Sequence, residues 1–213
     1  MKLAVTLPRL VGLAAVATAP VVNAEIFLSP GSTWEYTFTD PTADPTWNTT
    51  TGGWSTGPAP FGNVFGGDFG YATGTFWGAD ASGLLADDLW VRTTVDLSAA
   101  DLATIAYDLG VDNGYTLYVN GSLVSSANAE GYTFRWEYTG AIPEGILVPG
   151  INVVALALED HGGLTAFDMQ IRGDVAPVVP EASNVAVGAV LVGLAGYAMA
   201  RRRSRGVSSR EKE

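Results

Sequence analysis

The stretch that decides the fold is Asp112-Asn113-Gly114-Tyr115-Thr116-Leu117-Tyr118-Val119-Asn120-Gly121-Ser122-Leu123-Val124. Apolar and polar side chains alternate before its Asn-Gly pair, as they do in strands with one buried face. An Asn-Gly pair accepts the positive φ angles of a type I′ turn, which joins two antiparallel strands through two residues. The stretch therefore predicts a β-hairpin.

Further strands are predicted on both sides of this hairpin. The alternation of apolar and polar residues recurs at residues 34–38, 90–95 and 132–138. Residues 152–158 are nearly all apolar, as expected for a central strand, and residues 164–172 close the series. Short strands at this spacing predict that residues 25–175 form an antiparallel β-sandwich. The exceptions are a long loop within residues 40–70, rich in Gly, Pro, Thr and Asn, and one helical turn capped by Ser98.

Composition excludes several classes of function. The 213 residues contain no cysteine, which rules out disulfides, cysteine metal clusters and thiol nucleophiles. Residues 25–180 carry 19 acidic side chains against three arginines and no lysine, a formal charge of −16. A field of that sign repels nucleic acid and anionic lipid, so neither is an expected partner.

The first 24 residues have the pattern of a secretory signal peptide. Lys2 and Arg9 supply positive charge, and a short apolar run follows from residue 10 to residue 19. Val22-Asn23-Ala24 then places compact side chains before Glu25, as signal peptidase requires. We expect cleavage after Ala24 and export of the chain that follows.

The other end predicts a membrane helix. After a linker at residues 176–184, residues 185–200 form a run without charge, and a basic tail follows at residues 201–213. As a helix, the 16-residue run is about 24 Å long, slightly short of a bilayer core. The clustered arginines mark the cytoplasmic side by the positive-inside rule, and they are Arg201, Arg202, Arg203 and Arg205.

Val178-Val179-Pro180-Glu181-Ala182-Ser183 precedes this helix. The order of Pro180-Glu181-Ala182, apolar helix and arginine cluster resembles the PEP-CTERM sorting signal, in which a second proline is usual where Ala182 stands. The resemblance implies recognition by an exosortase-type membrane protease. It further implies a transient anchor in the inner membrane, and delivery to the cell surface or extracellular matrix of a Gram-negative bacterium. The alternative is an ordinary single-span anchor.

Residues 55–173 carry a second resemblance. Leu89–Leu97, Asp112–Gly121, Val148–Ala155 and Phe167–Ile171 are similar, in order and spacing, to the galactose-binding-domain-like jelly roll. This is an accessory sandwich of many bacterial glycosidases. The resemblance implies a jelly roll that often holds structural calcium, and it is weakly informative on ligand because the fold hosts many functions.

No catalytic constellation is visible in the sequence. His161 is the only histidine, and no nucleophile elbow accompanies it. The carboxylate pairs Asp87-Asp88 and Glu159-Asp160 consist of adjacent residues, which point to opposite faces of a strand and so do not flank one bond. The sequence predicts a protein that is not an enzyme.

Two kinds of binding site remain as candidates. Calcium takes carboxylate and loop oxygens, and Asp160 and Asp168 are the candidate ligands among the acids at 80, 87, 88, 159, 160 and 168. No organic cofactor is expected. Trp54 and Trp77, like Trp47, lie in glycine-rich loops and are candidates for stacking on sugar rings. The other three tryptophans lie in alternating segments and are predicted core residues: Trp34, Trp90 and Trp136.

The sequence thus predicts an exported, non-catalytic surface or matrix protein with weak affinity for extracellular polysaccharide. The alternative is a secreted, glycosidase-like hydrolase whose site is built from dispersed carboxylates.

Processing at both ends is directly testable. We expect surface-extracted protein to begin at Glu25 and to lack Arg201–Glu213, which intact-mass analysis measures. Replacing Pro180 and Glu181 together with alanine is expected to leave the protein in the membrane fraction. A surface form that retains the full C-terminus would contradict the sorting prediction.

Overall fold

The computed structural model describes residues 24–63, 73–78, 88–128 and 135–177. Those up to Ala176 belong to one compact unit of the chain. The predicted signal segment before Ala24, and everything from residue 178 to the end, lie outside the described residues. In the described part, no helix has both the length and the apolar character needed to cross a membrane.

The described part is built from strands and two single-turn 3₁₀ helices, Leu102–Thr104 and Glu144–Ile146. The strands are β1 (Ala24–Leu28), β2 (Thr33–Thr37), β3 (Ser55–Pro58), β4 (Phe61–Gly62), β5 (Thr75–Phe76), β6 (Leu89–Asp96), β7 (Ala106–Asp112), β8 (Gly114–Val119), β9 (Ser122–Ala127), β10 (Tyr138–Ala141), β11 (Ile151–Glu159) and β12 (Ala166–Asp174).

These strands form two sheets of six. Sheet 1 has the order β10-β7-β12-β4-β5, with β1 also paired to β12, and sheet 2 has the order β3-β2-β6-β11-β8-β9. The pairs are antiparallel except for β4 with β5. The predicted all-β sandwich is therefore confirmed.

The nearly all-apolar segment predicted as a central strand is β11, at the centre of sheet 2. Val154, Leu156 and Leu158 alternate along it and enter the hydrophobic core between the sheets. Leu156 pairs with Val91 of β6 on one side and with Leu117 of β8 on the other, and all three are fully buried. Sheet 1 contributes Leu109, Phe167 and Met169 among others. The core therefore forms between the two inner faces, as the period of two requires.

The predicted hairpin is present as β8 and β9. Asn120 and Gly121 have φ angles of 50° and 78°, which is the left-handed geometry of a two-residue type I′ turn. The Asn120 amide also holds the turn in place: its Nδ2 donates to Ile146 O and to Asn152 Oδ1, both at 2.8 Å. Its Oδ1 accepts from Val153 N at 2.9 Å.

The structure differs from the sequence prediction in two segments. Ser98 does not cap a helical turn, because it bonds to Asp96 instead, and Asp101 caps the 3₁₀ helix by accepting from Ala103 N. The predicted strand 132–138 begins only at Tyr138 within the described residues, since Trp136 has a φ of 66° that no strand residue adopts. Trp136 and Trp90 are partly buried and lie outside the core cluster, whereas Trp34 is a core residue as predicted.

The hairpin turn gives a test of the fold. Gly121→Ala places a side chain at positive φ, and its Cβ would lie 2.5 Å from Thr49 Cγ2. We expect the free energy of unfolding to fall by about 1 kcal/mol or more. Gly145→Ala is the matched control, because a Cβ there meets nothing within 4 Å. Equal denaturation midpoints for the two variants would contradict the turn geometry.

Candidate functional site

Arg92 organises the outer face of sheet 2. It lies on β6 between the inward residues Val91 and Thr93, so the strand directs its side chain away from the core. The side chain is nevertheless buried, because its guanidinium contacts a loop that crosses the sheet. Nε donates to Glu35 Oε2 at 2.9 Å, Nη1 to Trp47 O at 2.9 Å, and Nη2 to Gly52 O at 2.6 Å.

Glu35 completes this attachment from the neighbouring strand. It pairs with Arg92 across β2 and β6, and both of its carboxylate oxygens accept from Gly52 N, at 2.6 and 2.7 Å. Charge-assisted hydrogen bonds of this kind are roughly twice as strong as neutral ones. The Glu35–Arg92 pair thus binds both the amide and the carbonyl of Gly52, and it fixes the loop formed by residues 38–54 on the sheet.

The loop carries two tryptophans whose rings the pair positions. The Arg92 Cζ atom lies 3.8 Å from the centroid of the Trp54 ring, a cation–π contact. Trp47 lies nearly parallel to Trp54, with centroids 6.5 Å apart, and meets Tyr118 of β8 edge-on at 5.5 Å. Trp47 is buried by these contacts, whereas Trp54 stays partly exposed. The ring of Trp54 is therefore both accessible and held in one place.

An open groove of about 400 Å³ lies beside Trp54. This volume falls within the range of small-molecule sites. Aromatic rings and hydroxyl groups form most of its lining, which consists of Tyr36, Thr37, Phe38, Thr39, Gly53, Trp54 and Ser55. Phe38 is 40% exposed and meets Tyr36 edge-on at 5.8 Å. We call this feature the Trp54 groove.

A smaller depression of about 130 Å³ follows along the same strand. Glu35 and Arg92 line it together with five threonines, Thr33, Thr51, Thr56, Thr93 and Thr94. Both recesses include residues of β2 and lie at the β3 end of sheet 2. The Trp54 groove thus offers aromatic faces and neutral hydroxyl groups, whereas the smaller depression adds the Glu35–Arg92 ion pair.

Of the two predicted ligand-binding tryptophans, only Trp54 lines a recess among the described residues. Trp77 is 0% exposed and belongs to the core cluster, so its prediction as a stacking residue is wrong. Its carbonyl accepts a hydrogen bond from Thr165 Oγ1. The ring of Trp77 therefore offers no face to solvent.

The predicted calcium ligands are engaged by protein donors. Asp168 is 0% exposed; its Oδ2 lies 3.1 Å from Arg135 Nη2, and its Oδ1 accepts from the amides of Gly31 and Met169. Asp160 Oδ1 accepts from Gly162 N at 2.9 Å. Within the described residues, no group of three or more His, Asp or Glu side chains is placed to hold a metal ion. Asp80 and Asp87 lie outside those residues.

The remaining carboxylates of the sequence prediction are dispersed. Asp88 Oδ1 accepts from Asp160 N at 3.1 Å, and His161 Nε2 lies 3.2 Å from Glu159 Oε2. Arg172 binds Asp108 at 2.8 Å and, as the largest cause, lowers the pKa of that carboxyl. The sorting residues Pro180, Glu181 and Ala182, and the arginines from Arg201 onward, lie outside the described part of the chain.

The sequence predicts that Arg92 pairs with an acid at the edge of the core, but it did not identify Glu35 as that acid, nor Tyr36 and Phe38 as groove residues. A signal for the pair existed, since Glu35 and Arg92 are charged residues at outward positions of two predicted strands. The groove had no such signal in the sequence, because Phe38 shares one face of the alternating segment with Trp34 and Tyr36.

No family model matches the chain, and no curated protein is similar to it in sequence. Solved structures similar to it include *Ruminococcus gnavus* β-glucuronidase in complex with uronic isofagomine, at 14% identity over 74% of this chain and 29% of that chain, with a TM-score of 0.46. A β-glucuronidase from an uncultured *Clostridium* species has 11% identity over 74% of this chain and 30% of that one, with a TM-score of 0.47. The chain spans about 30% of the length of these enzymes.

This finding corrects one prediction. The sequence predicts a protein that is not an enzyme, whereas these solved structures are glycosidases, and that prediction is withdrawn. At 11 to 14% identity and TM-scores of 0.46 and 0.47, the similarity assigns no activity to this chain.

The role of Arg92 is testable by a change that keeps its charge. Lysine lacks the planar fork that reaches Glu35, Trp47 O and Gly52 O together. We expect Arg92→Lys to lower the free energy of unfolding by about 2 kcal/mol and to accelerate chymotryptic cleavage within residues 38–54. Arg172→Lys is the control, because the Arg172 side chain is 46% exposed and its replacement should cost under about 1 kcal/mol. Equal losses would contradict the proposed fixation of the loop.

Proposed function

We propose that the exported part of this chain recognises carbohydrate in the Trp54 groove. The observation that carries the proposal is the Trp54 ring itself, partly exposed at an open groove and held by Arg92 at 3.8 Å. Sugar rings present apolar C–H faces, for which an aromatic face is the complementary surface. A ring already fixed by the protein loses little conformational freedom when a ligand stacks on it.

The remaining lining suits the other surface of a sugar. Thr37, Thr39 and Ser55 place hydroxyl groups around the aromatic residues. The Thr37 hydroxyl accepts from Thr39 N at 3.0 Å, whereas the Thr39 and Ser55 hydroxyls can each donate to and accept from a sugar. Sugar hydroxyls require such mixed partners. The groove is open, which suits an end or a side of a polymer and predicts modest affinity.

We further propose that the sandwich is a galactose-binding-like jelly roll and that the C-terminal signal is of the PEP-CTERM type. In this proposal, signal peptidase and an exosortase-type protease process the chain, which then resides at the cell surface or in the extracellular matrix. The two six-stranded sheets, antiparallel except for the pairing of β4 with β5, support the first proposal. The order of apolar and arginine-rich segments in the sequence supports the second proposal. A protein at the cell surface or in the matrix would meet extracellular polysaccharide, which is therefore the expected ligand.

Groove binding is tested on a glycan array with the purified full chain, in a detergent without a sugar headgroup. We expect Trp54→Ala and Phe38→Ala each to weaken binding at least tenfold, since each removes an aromatic face of the groove. Phe76→Ala is the matched control: Phe76 is 62% exposed but belongs to β5 of sheet 1. A glycan signal unchanged in both groove variants would place the site elsewhere.

Hydrolysis of a glycoside is a second candidate function, favoured by the surroundings of Tyr138. Burial raises the pKa of Glu137, as a general acid requires at neutral pH. The pKa of the Tyr138 hydroxyl is raised first by burial and then by the charges of Glu137 and Asp112. The charges of Glu137 and Asp112 thus both act on one phenol. Glycosidases pair an acid of raised pKa with a second carboxylate, and Glu137 and Asp112 are the candidates for these two roles.

Turnover of aryl glycosides with neutral and acidic sugars tests this candidate. We expect Glu137→Gln to reduce kcat/KM at least a hundredfold, because it removes the proton donor. Glu144→Gln is the control, since Glu144 is an exposed acid in the second 3₁₀ helix. Absence of turnover by the unaltered protein would end this candidate, and equal rates in both variants would place the acid elsewhere.

A further inference from the structure

The exported part of the chain has very few cationic side chains, and the structure shows what they do. Between residues 25 and 180 the sequence contains no lysine and three arginines, at 92, 135 and 172. Each arginine forms an ion pair with a buried or partly buried carboxylate. The pairs are Arg92 with Glu35 at 2.9 Å, Arg135 with Asp168 at 3.1 Å and Arg172 with Asp108 at 2.8 Å.

Among the described residues, no cationic side chain lines the Trp54 groove. Its lining consists of aromatic residues, hydroxyl residues and one glycine. Arg92, which lies against the Trp54 ring, is 3% exposed and donates to Glu35 and to two loop carbonyls. Its guanidinium therefore supports the ring from within the protein and does not present a fork to the groove.

Acidic glycans carry carboxylate or sulfate groups, and proteins recognise such groups with arginine or lysine. A ligand of that kind would meet no cation in the Trp54 groove. It would also approach a domain with a formal charge of −16, whose field lowers the local concentration of anions. The same field leaves the concentration of an uncharged ligand unchanged.

The position of the two recesses bears on ligand length. The Trp54 groove includes residues 36 and 37 of β2 and the two residues that follow the strand, and the smaller depression includes residues 33–35. At about 3.3 Å per residue, β2 spans roughly 15 Å. In the smaller depression, threonine hydroxyls lie beside the Glu35–Arg92 ion pair, which has no net formal charge.

From these observations we propose that the groove takes an uncharged glycan chain and discriminates against uronic-acid-containing or sulfated ones. This inference rests on the proposed function and specifies its ligand class. Aromatic faces supply the stacking surface, neutral hydroxyls supply the hydrogen bonds, and the cations that would accept acidic sugars are committed to the fold. The uronic ligands of the solved β-glucuronidase complexes belong to the disfavoured class.

A matched set of ligands tests the inference on the purified full chain. Gluco-, manno- and galacto-oligosaccharides are compared with the same oligosaccharides oxidised at C6 to uronic acids, at low and high ionic strength, with and without millimolar calcium. We expect the neutral forms to bind at least tenfold more tightly at low ionic strength. The gap should narrow with salt, because screening removes the repulsion. Affinity for the neutral forms should not change with salt.

Variants that introduce a positive charge provide a second test of the inference. Thr39→Lys places a cation at the exposed rim of the groove and is expected to raise affinity for the oxidised forms at least tenfold at low ionic strength. Ser126→Lys is the control: it adds the same charge on β9, at a residue that lines neither recess, and should raise affinity for the oxidised forms much less. Equal gains in both variants would show a general charge effect and would overturn the groove assignment.

The outcomes separate the two levels of proposal. Tighter binding of the oxidised forms, in any buffer, overturns the neutral-ligand inference and leaves carbohydrate recognition standing. No binding of either form overturns carbohydrate recognition itself. Neutral binding that is lost in Trp54→Ala supports both.

Discussion

The ion pair between Glu35 and Arg92 is the constraint on which the outer face of sheet 2 depends. The loop of residues 38–54 has no disulfide to hold it and contributes few side chains to the core. Its attachment comes instead from Arg92, which binds the carbonyls of Trp47 and Gly52, and from Glu35, which binds the Gly52 amide. A buried arginine is stable only when its donors are satisfied, so the loop and the arginine stabilise each other. The position of Trp54, and with it the groove, follows from that mutual requirement.

The other arginines of the sandwich are also used in ion pairs that hold the fold together. Three arginines pair with three carboxylates. One pair joins β2 to β6, one joins β7 to β12, and one joins Asp168 of β12 to Arg135, which precedes β10. Because no other arginine or lysine lies between residues 25 and 180, the remaining acids are balanced by no cationic side chain of their own. The small number of arginines and the absence of lysine therefore explain both observations: every arginine is used in an ion pair of the fold, and the charge of residues 25–180 is strongly negative. The preference for uncharged ligands proposed for the groove has the same origin.

The sequence was informative wherever one periodicity determined the structure. Alternation located β2 and β6, and a nearly all-apolar run located β11. Asn120-Gly121 located the hairpin, because positive φ is a local requirement that few residue pairs meet. It was misleading where tertiary contacts override local pattern. Trp77 lies in a glycine-rich segment that was predicted to be a loop, yet its ring is buried in the core. Phe38 continues the alternation of β2, yet it is exposed. The loop that covers sheet 2 produces no periodic pattern in the sequence, and the contacts of Arg92 with carbonyl groups produce none either. The site could therefore be recognised only in the three-dimensional structure.

The amide of Asn120 has one more consequence. Asn120-Gly121-Ser122 matches the acceptor sequence for N-linked glycosylation. In the folded protein, however, the Nδ2 atom to which a glycan would be joined already donates to Ile146 O and to Asn152 Oδ1. An amide nitrogen has two hydrogens, and both are taken. A transferase that meets the folded domain therefore finds no free acceptor at this position. Attachment before folding would remove a donor that fastens the hairpin tip to the turn before β11. Folding itself protects the sequon from modification.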